Sequence, residues 1–142
     1  MADSSVKLAL SAPRLFDGED WFEDHAVLLH GQRIDKLLPR HQLPAGIPHL
    51  VLADATLAPG FIDIQVNGGG GVLLNNEPTA QAVHRITAAH RRAGATGIMP
   101  TLLSDLPAVQ RAAVTAVTQA QDAGNAGVLG VHLEGPFFAP AR

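Results

Sequence analysis

The chain has 142 residues, 46% hydrophobic and 16% charged, which excludes a disordered polyelectrolyte and predicts an ordered chain with a sizeable core. Its formal net charge of −3 argues against nucleic acid and against an anionic membrane surface as partners. Without cysteine there is no disulfide framework and no thiolate metal site, so any metal must take oxygen or nitrogen ligands. Residues Met1–Leu10 place an acid before their lysine and hold a very short apolar run, a poor signal peptide. No apolar stretch approaches the ~20 residues of a membrane span. The expectation is a soluble, cytoplasmic protein.

Residues 6 to 10 and 26 to 38 read as β structure, the second block folded at Gly31-Gln32. Glycine first in a two-residue loop suits a type II′ hairpin. Pro39, Pro44, Gly46 and Pro48 interrupt the next stretch, and Leu50-Val51-Leu52 reads as a further short strand. His25, His30, His41 and His49 lack ligand-like spacing and read as surface or loop histidines. This opening of roughly 58 residues is a small β-rich domain without evident chemistry.

From Pro59 the pattern changes. Strands are predicted at 61–67, 97–103 and 128–134, and helices near 79–93 and 107–122. Thr79 is the expected cap of the first helix and Gly94 its stop. Ser104 or Asp105 is the expected cap of the second, with Pro107 in its first turn. Alternation puts Ile62, Ile64 and Val66 on one face of the first strand and Asp63, Gln65 and Asn67 on the other. In the same way Leu129, Val131 and Leu133 share one face of the last strand, and Val128, Gly130, His132 and Glu134 the other. The aliphatic faces are expected to meet the helices. Four consecutive glycines, Gly68–Gly71, fit neither a dinucleotide fingerprint nor a Walker loop, and read as a flexible or tightly turned connection.

Strand, helix, strand, helix, strand implies parallel pairing with right-handed crossovers. Gln65, Asn67, Thr101 and Glu134 then lie near the C-terminal ends of neighbouring strands. Either an open doubly wound sheet or the start of an eight-stranded barrel keeps its chemistry at such ends. Taken alone, Glu134 reads as a solvated loop acid and His132 as a hydrogen-bonded core histidine.

Pro59-Gly60-Phe61-Ile62-Asp63, Gln65-Val66-Asn67-Gly68, Thr96-Gly97 with Pro100-Thr101, and His132-Leu133-Glu134-Gly135-Pro136-Phe137 together resemble the amidohydrolase superfamily. Within it they look most like the N-acetylglucosamine-6-phosphate deacetylases. The resemblance implies an α/β fold, the first three βα units of a TIM-type barrel preceded by part of a small β-sandwich. Residues 1–58 would be the sandwich part and 59–142 the incomplete barrel. It implies a metal-dependent hydrolase that removes acetate from N-acetylglucosamine 6-phosphate, a small-molecule amino-sugar phosphate, and is a homodimer at full length. Glu134 matches the family's metal ligand, and the metal, one divalent ion, is expected to be zinc. Gln65 and Asn67 stand where other amidohydrolases carry a His-x-His metal pair. Neutral amides are poor zinc ligands, so the resemblance points to a single-metal site lined by Gln65, Asn67 and His132. The family's remaining ligands, its catalytic aspartate and its phosphate contacts lie beyond Arg142. No catalytic residue is therefore assigned in this chain, which by itself is expected to be inactive and to self-associate through unpaired strand edges. The competing readings are a portion of a dihydroorotase-like or hydantoinase-like amidohydrolase, which would carry His-x-His, and a non-catalytic α/β module.

Overall fold

The computed structural model describes residues 7–137, so Val6 and Phe138, which the sequence places in the first and last strands, lie outside it. The chain divides into two compact units, Met1–Pro59 and Gly60–Arg142.

The first unit holds strands β1 (Lys7–Ser11), β2 (Arg14–Phe16), β3 (Trp21–Glu23), β4 (His25–His30), β5 (Arg33–Pro39), β6 (His49–Val51) and β7 (Thr56–Leu57). They form two sheets, ordered β5-β4-β1-β6 and β3-β2-β7. β4 and β5 make the expected hairpin, and Gly31 alone in its turn has a positive φ, 60°, as the first position of a type II′ turn requires. An apolar cleft of about 350 Å³ is lined by Leu10 and Leu29 from one sheet and Leu15 and Leu57 from the other. β2, β3 and β7 escape sequence reading because two or three residues are too few to display a period.

The second unit is built on three parallel strands, β8 (Phe61–Val66), β11 (Ala95–Leu103) and β12 (His132–Glu134), with β11 in the centre. Helix α1 (Ala80–Arg92) joins the first pair and α2 (Pro107–Asp122) precedes β12. Both helices share one apolar core with the sheet, in which Val83 and Ile86 of α1 and Ala113, Ala116, Val117 and Ala120 of α2 meet Val66, Ile98, Leu102 and Val128. Spacings of three and four give each helix a single buried stripe. The alanines of α2 let its backbone come close to its neighbours.

Thr79 caps α1 as expected, its Oγ1 accepting the Ala82 N–H at 3.1 Å. The capping expectation for α2 is corrected. Leu106 occupies the N-cap position and no side chain caps the helix, although Pro107 does stand at its start. Asp105 is engaged elsewhere, by the Asn75 amide and the Leu106 N–H.

The four glycines form a tight turn. Gly68–Gly69 (β9) pairs antiparallel with Val72–Leu73 (β10) across Gly70 and Gly71, whose φ values of 61° and 82° side chains rarely adopt. His90 of α1 bonds the Gly68 carbonyl at 2.9 Å and fixes the hairpin to the helix.

The expected facing of the aliphatic residues is only partly realised. Val66 is buried, but Ile62 and Ile64 are 65% and 66% exposed. In the register, Asp63 lies opposite Ile98 and Val66 opposite Pro100, so two β8 residues span one β11 residue. That extra residue breaks the alternation. The last strand is also corrected. Regular pairing is confined to His132–Glu134, preceded by an isolated bridge from Val128 to Ile98. Residues 129–131 span Met99 and Pro100, again one residue too many. Val128 consequently joins the core, while Leu129 lies over Gly97 and is 50% exposed. Beyond the irregularity the expected order returns. Val131 packs on the core and Leu133 lies by Pro107, Gln110 and Val114 of α2.

Candidate functional site

Polar side chains gather where β8 and β12 end beside β11. Glu134 is the last residue of β12 and is opposite Leu103, the last residue of β11. Gln65 approaches from β8, its Nε2 donating to Glu134 Oε2 at 2.9 Å. A hydrogen bond to an ionised acceptor is among the stronger kinds, and this one fixes one carboxylate oxygen while leaving Oε1 free of it. Gln65 is itself turned by the strand irregularity, and its N–H donates to Asp63 Oδ1 at 3.1 Å.

His132 is opposite Thr101, and their side chains meet at 3.2 Å between Thr101 Oγ1 and His132 Nδ1. Thr101 is fully buried and donates its single hydroxyl hydrogen to the Met99 carbonyl, also at 3.2 Å. The contact with His132 ties the Nδ1 edge of the ring to Thr101 and leaves Nε2 outside it. Asn67 follows β8 directly. Its Nδ2 is buried and has no hydrogen-bond partner among the described residues.

The four residues singled out in the sequence are thus not equivalent. Glu134 and Gln65 are joined directly, His132 is tied to Thr101, and Asn67 stands by itself. Among the described residues no three His, Asp, Glu or Cys side chains converge as a metal cage. The donor chemistry nevertheless suits one carboxylate ligand for a divalent cation, with an amide that orients it instead of competing for the ion.

Sequence reading missed Asn75 and took Asp105 only as a helix cap, and both lie at the same end of the sheet. Asn75 bonds both backbone groups of Leu103 and the Asp105 carboxylate. Asp105 is held below the usual carboxylate pKa, chiefly by the Asn75 amide and then by the Leu106 N–H. Neither residue shows in a hydrophobic period, and an Asn or Asp in a polar loop looks like turn chemistry. A separate groove of about 630 Å³ lies between α1 and the loop after α2, lined by His84, Arg91, Arg92 and Asn125. None of the site residues borders it. Arg91 and Arg92 close the last turn of α1, where cations complement the helix dipole. Among the described residues no helix is long and apolar enough to cross a membrane.

A family model, the NagA composite domain, matches residues 8–57. The N-acetylgalactosamine-6-phosphate deacetylase of Shewanella sp. (strain ANA-3) is 43% identical over 95 residues, 67% of this chain and 24% of that protein. The N-acetylglucosamine-6-phosphate deacetylase of Haemophilus influenzae is 28% identical over 134 residues, 94% of this chain and 35% of that protein. Among solved structures, N-acetylglucosamine-6-phosphate deacetylase from Pasteurella multocida superposes with a TM-score of 0.88 at 24% identity, covering 95% of this chain and 36% of that one. That likeness is one of fold. The chain therefore spans between about a quarter and about a third of the length of these relatives.

Proposed function

We infer that this chain, which belongs to the N-acetylglucosamine-6-phosphate deacetylase family and corresponds to its N-terminal portion, carries one metal ligand of an amide hydrolase. In this reading residues 59–142 are the opening of a TIM-type barrel, three strands with two of their helices, and residues 1–58 are part of a small β-sandwich. The observation that supports it best is the Gln65–Glu134 hydrogen bond at the strand ends. It presents an oriented carboxylate where such folds keep their chemistry.

Glu134 would hold a single divalent ion, with zinc the first candidate. When bound, that ion supplies Lewis-acid polarisation of the acetyl carbonyl and a more acidic water. Gln65 holds Glu134 in one orientation. His132, tied through Nδ1 to Thr101 Oγ1, keeps Nε2 outside that contact on the Glu134 face. Asn67 offers an amide donor. The general base and acid, and the groups that hold the sugar phosphate, belong to the family's later residues. The products would be acetate and an amino-sugar 6-phosphate, in a cytoplasmic enzyme that is a dimer at full length.

The substrate sugar has a second reading. Among the relatives described, the one with the higher identity acts, by its name, on the galacto epimer. Both N-acetylglucosamine 6-phosphate and N-acetylgalactosamine 6-phosphate belong in the assay. In the full-length enzyme Glu134→Gln replaces an anionic ligand by a neutral amide. Metal content should fall well below stoichiometric and acetate release by at least about 10²-fold, on the order of 3 kcal/mol in the barrier. Undiminished metal content and turnover in that variant sink the assignment.

A further inference from the structure

Between the glycine hairpin and α1 the chain passes through Leu74 and Asn75. The Asn75 side chain uses its oxygen and both amide hydrogens. Oδ1 accepts the Leu103 N–H at 3.0 Å, and Nδ2 donates to the Leu103 carbonyl at 3.1 Å and to Asp105 Oδ2 at 2.9 Å. A side-chain amide thus pairs with the last residue of β11 as the peptide of a neighbouring strand would. Asp105 is braced in turn: its Oδ1 accepts the Leu106 N–H at 2.7 Å, and its carbonyl accepts Gln110 Nε2 at 2.9 Å.

One residue back, Leu74 is fully buried and belongs to the core of the second unit. Its N–H donates to the Asn67 carbonyl at 3.0 Å. Asn67 Nδ2 has no partner of its own among the described residues, so that end of the amide is not what fixes the residue. Its placement depends on the backbone and on what the backbone is tied to. The chain of contacts runs from Asn67 to Leu74, on to Asn75, and from there to the tip of β11.

We propose that Asn75 is a positioning residue of the deacetylase site, fastening the loop after β8 to the end of β11 and so holding Asn67 in place at the end of β8. This rests on the proposed function for the role of the strand-end site, but the fastening itself rests on the hydrogen bonds alone. The loop is then a fixed wall of the site. Loss of the fastening should weaken substrate binding more than the chemical step, because Asn67 is proposed to line the site and is assigned no part in the reaction.

The test uses the full-length enzyme and its Asn75→Ala, Asn75→Asp, Asp105→Asn and Asn75→Asp/Asp105→Asn variants. Asn75→Ala should raise KM roughly tenfold, equivalent to about one net hydrogen bond, with kcat changed less than about threefold. Asn75→Asp should do worse, since it removes both donors and sets a carboxylate against Leu103 O and Asp105. The double variant restores a donor–acceptor pair with the roles exchanged, and should regain part of the loss. A purely packing role would not give that rescue. Deuterium uptake by residues 67–79 provides the reading independent of activity, and should rise in Asn75→Ala. If uptake is unchanged, or if KM is unchanged while only the melting temperature falls, the proposal is overturned. If the wild-type enzyme hydrolyses neither sugar phosphate but uptake still rises, the fastening stands and the deacetylase reading fails.

Discussion

The two faces of the parallel sheet differ in what they are made to do. Toward the helices β11 presents Ile98 and Leu102, each 1% exposed, which Val66, Val128 and both helices enclose. The opposite face carries Thr101, with His132 beside it, and at its end the Gln65–Glu134 pair. The first face buries apolar area, which is the main source of fold stability. The second places polar groups whose partners are few and specific. The difference implies that changes on one face should leave the property carried by the other nearly intact.

The sharpest way to break that separation is to cut into the helix-facing side. Ile98 is at the centre of the longest strand, its N–H donating to Gly127 and its carbonyl accepting from Leu129. Ile98→Ala keeps those backbone bonds but leaves a cavity among closely packed neighbours. Destabilisation of about 2–5 kcal/mol is expected by urea unfolding. Metal content of the variant, measured on the folded fraction, should match the unmodified protein. A loss of metal in parallel with stability would mean that the two faces are not independent.

The complementary change is on the polar face. Gln65→Leu deletes the donor that orients Glu134 while keeping a side chain of similar size. Removing such an outer partner typically lowers metal affinity 10–100-fold. Competition with a chelating dye in the full-length enzyme measures it. Stability should move by less than about 1 kcal/mol, because Gln65 is exposed and contributes no core packing. An unchanged affinity would show that Gln65 is not what orients the carboxylate.

How much of this was legible depended on where the strands are regular. Parallel order, both helices and the Thr79 cap follow from periodicity and turn residues, and they appear in the structure within a few residues of the expected positions. The facing of Ile62, Ile64, Val128 and Leu129 did not follow. Each strand flanking β11 takes in one extra residue close to Met99, and an extra residue leaves no trace in residue type. His132 and Glu134 kept their shared face because both lie beyond that point. Gln65 and Glu134 could be placed at strand ends, but their hydrogen bond spans 69 positions and no local pattern encodes it. Asn75 was invisible for a related reason. Its partners are a strand end 28 positions away and an aspartate 30 away.

The smallest expected effect is the one that tests whether the helices act only through the core. Thr79 sits at the start of α1 with extended backbone, φ −127° and ψ 151°, and its hydroxyl oxygen accepts the Ala82 N–H. Its carbonyl accepts the Val83 N–H at 3.0 Å, so the backbone part of the cap survives substitution. Thr79→Ala therefore removes one side-chain acceptor and leaves a single N–H of the first turn to water. The cost should be about 1 kcal/mol, within the range of 0.5–2 typical of such caps, and less than that of Ile98→Ala. Thr79→Ser keeps the hydroxyl and should recover most of it. Val83 and Ile86 remain in the core throughout, so the polar face should not respond. Chemical denaturation supplies the first number and chelator competition the second. If Thr79→Ala weakened metal binding as much as Gln65→Leu, α1 would be communicating with the strand ends by a route other than apolar packing, through the Leu74–Asn75 segment that leads into it.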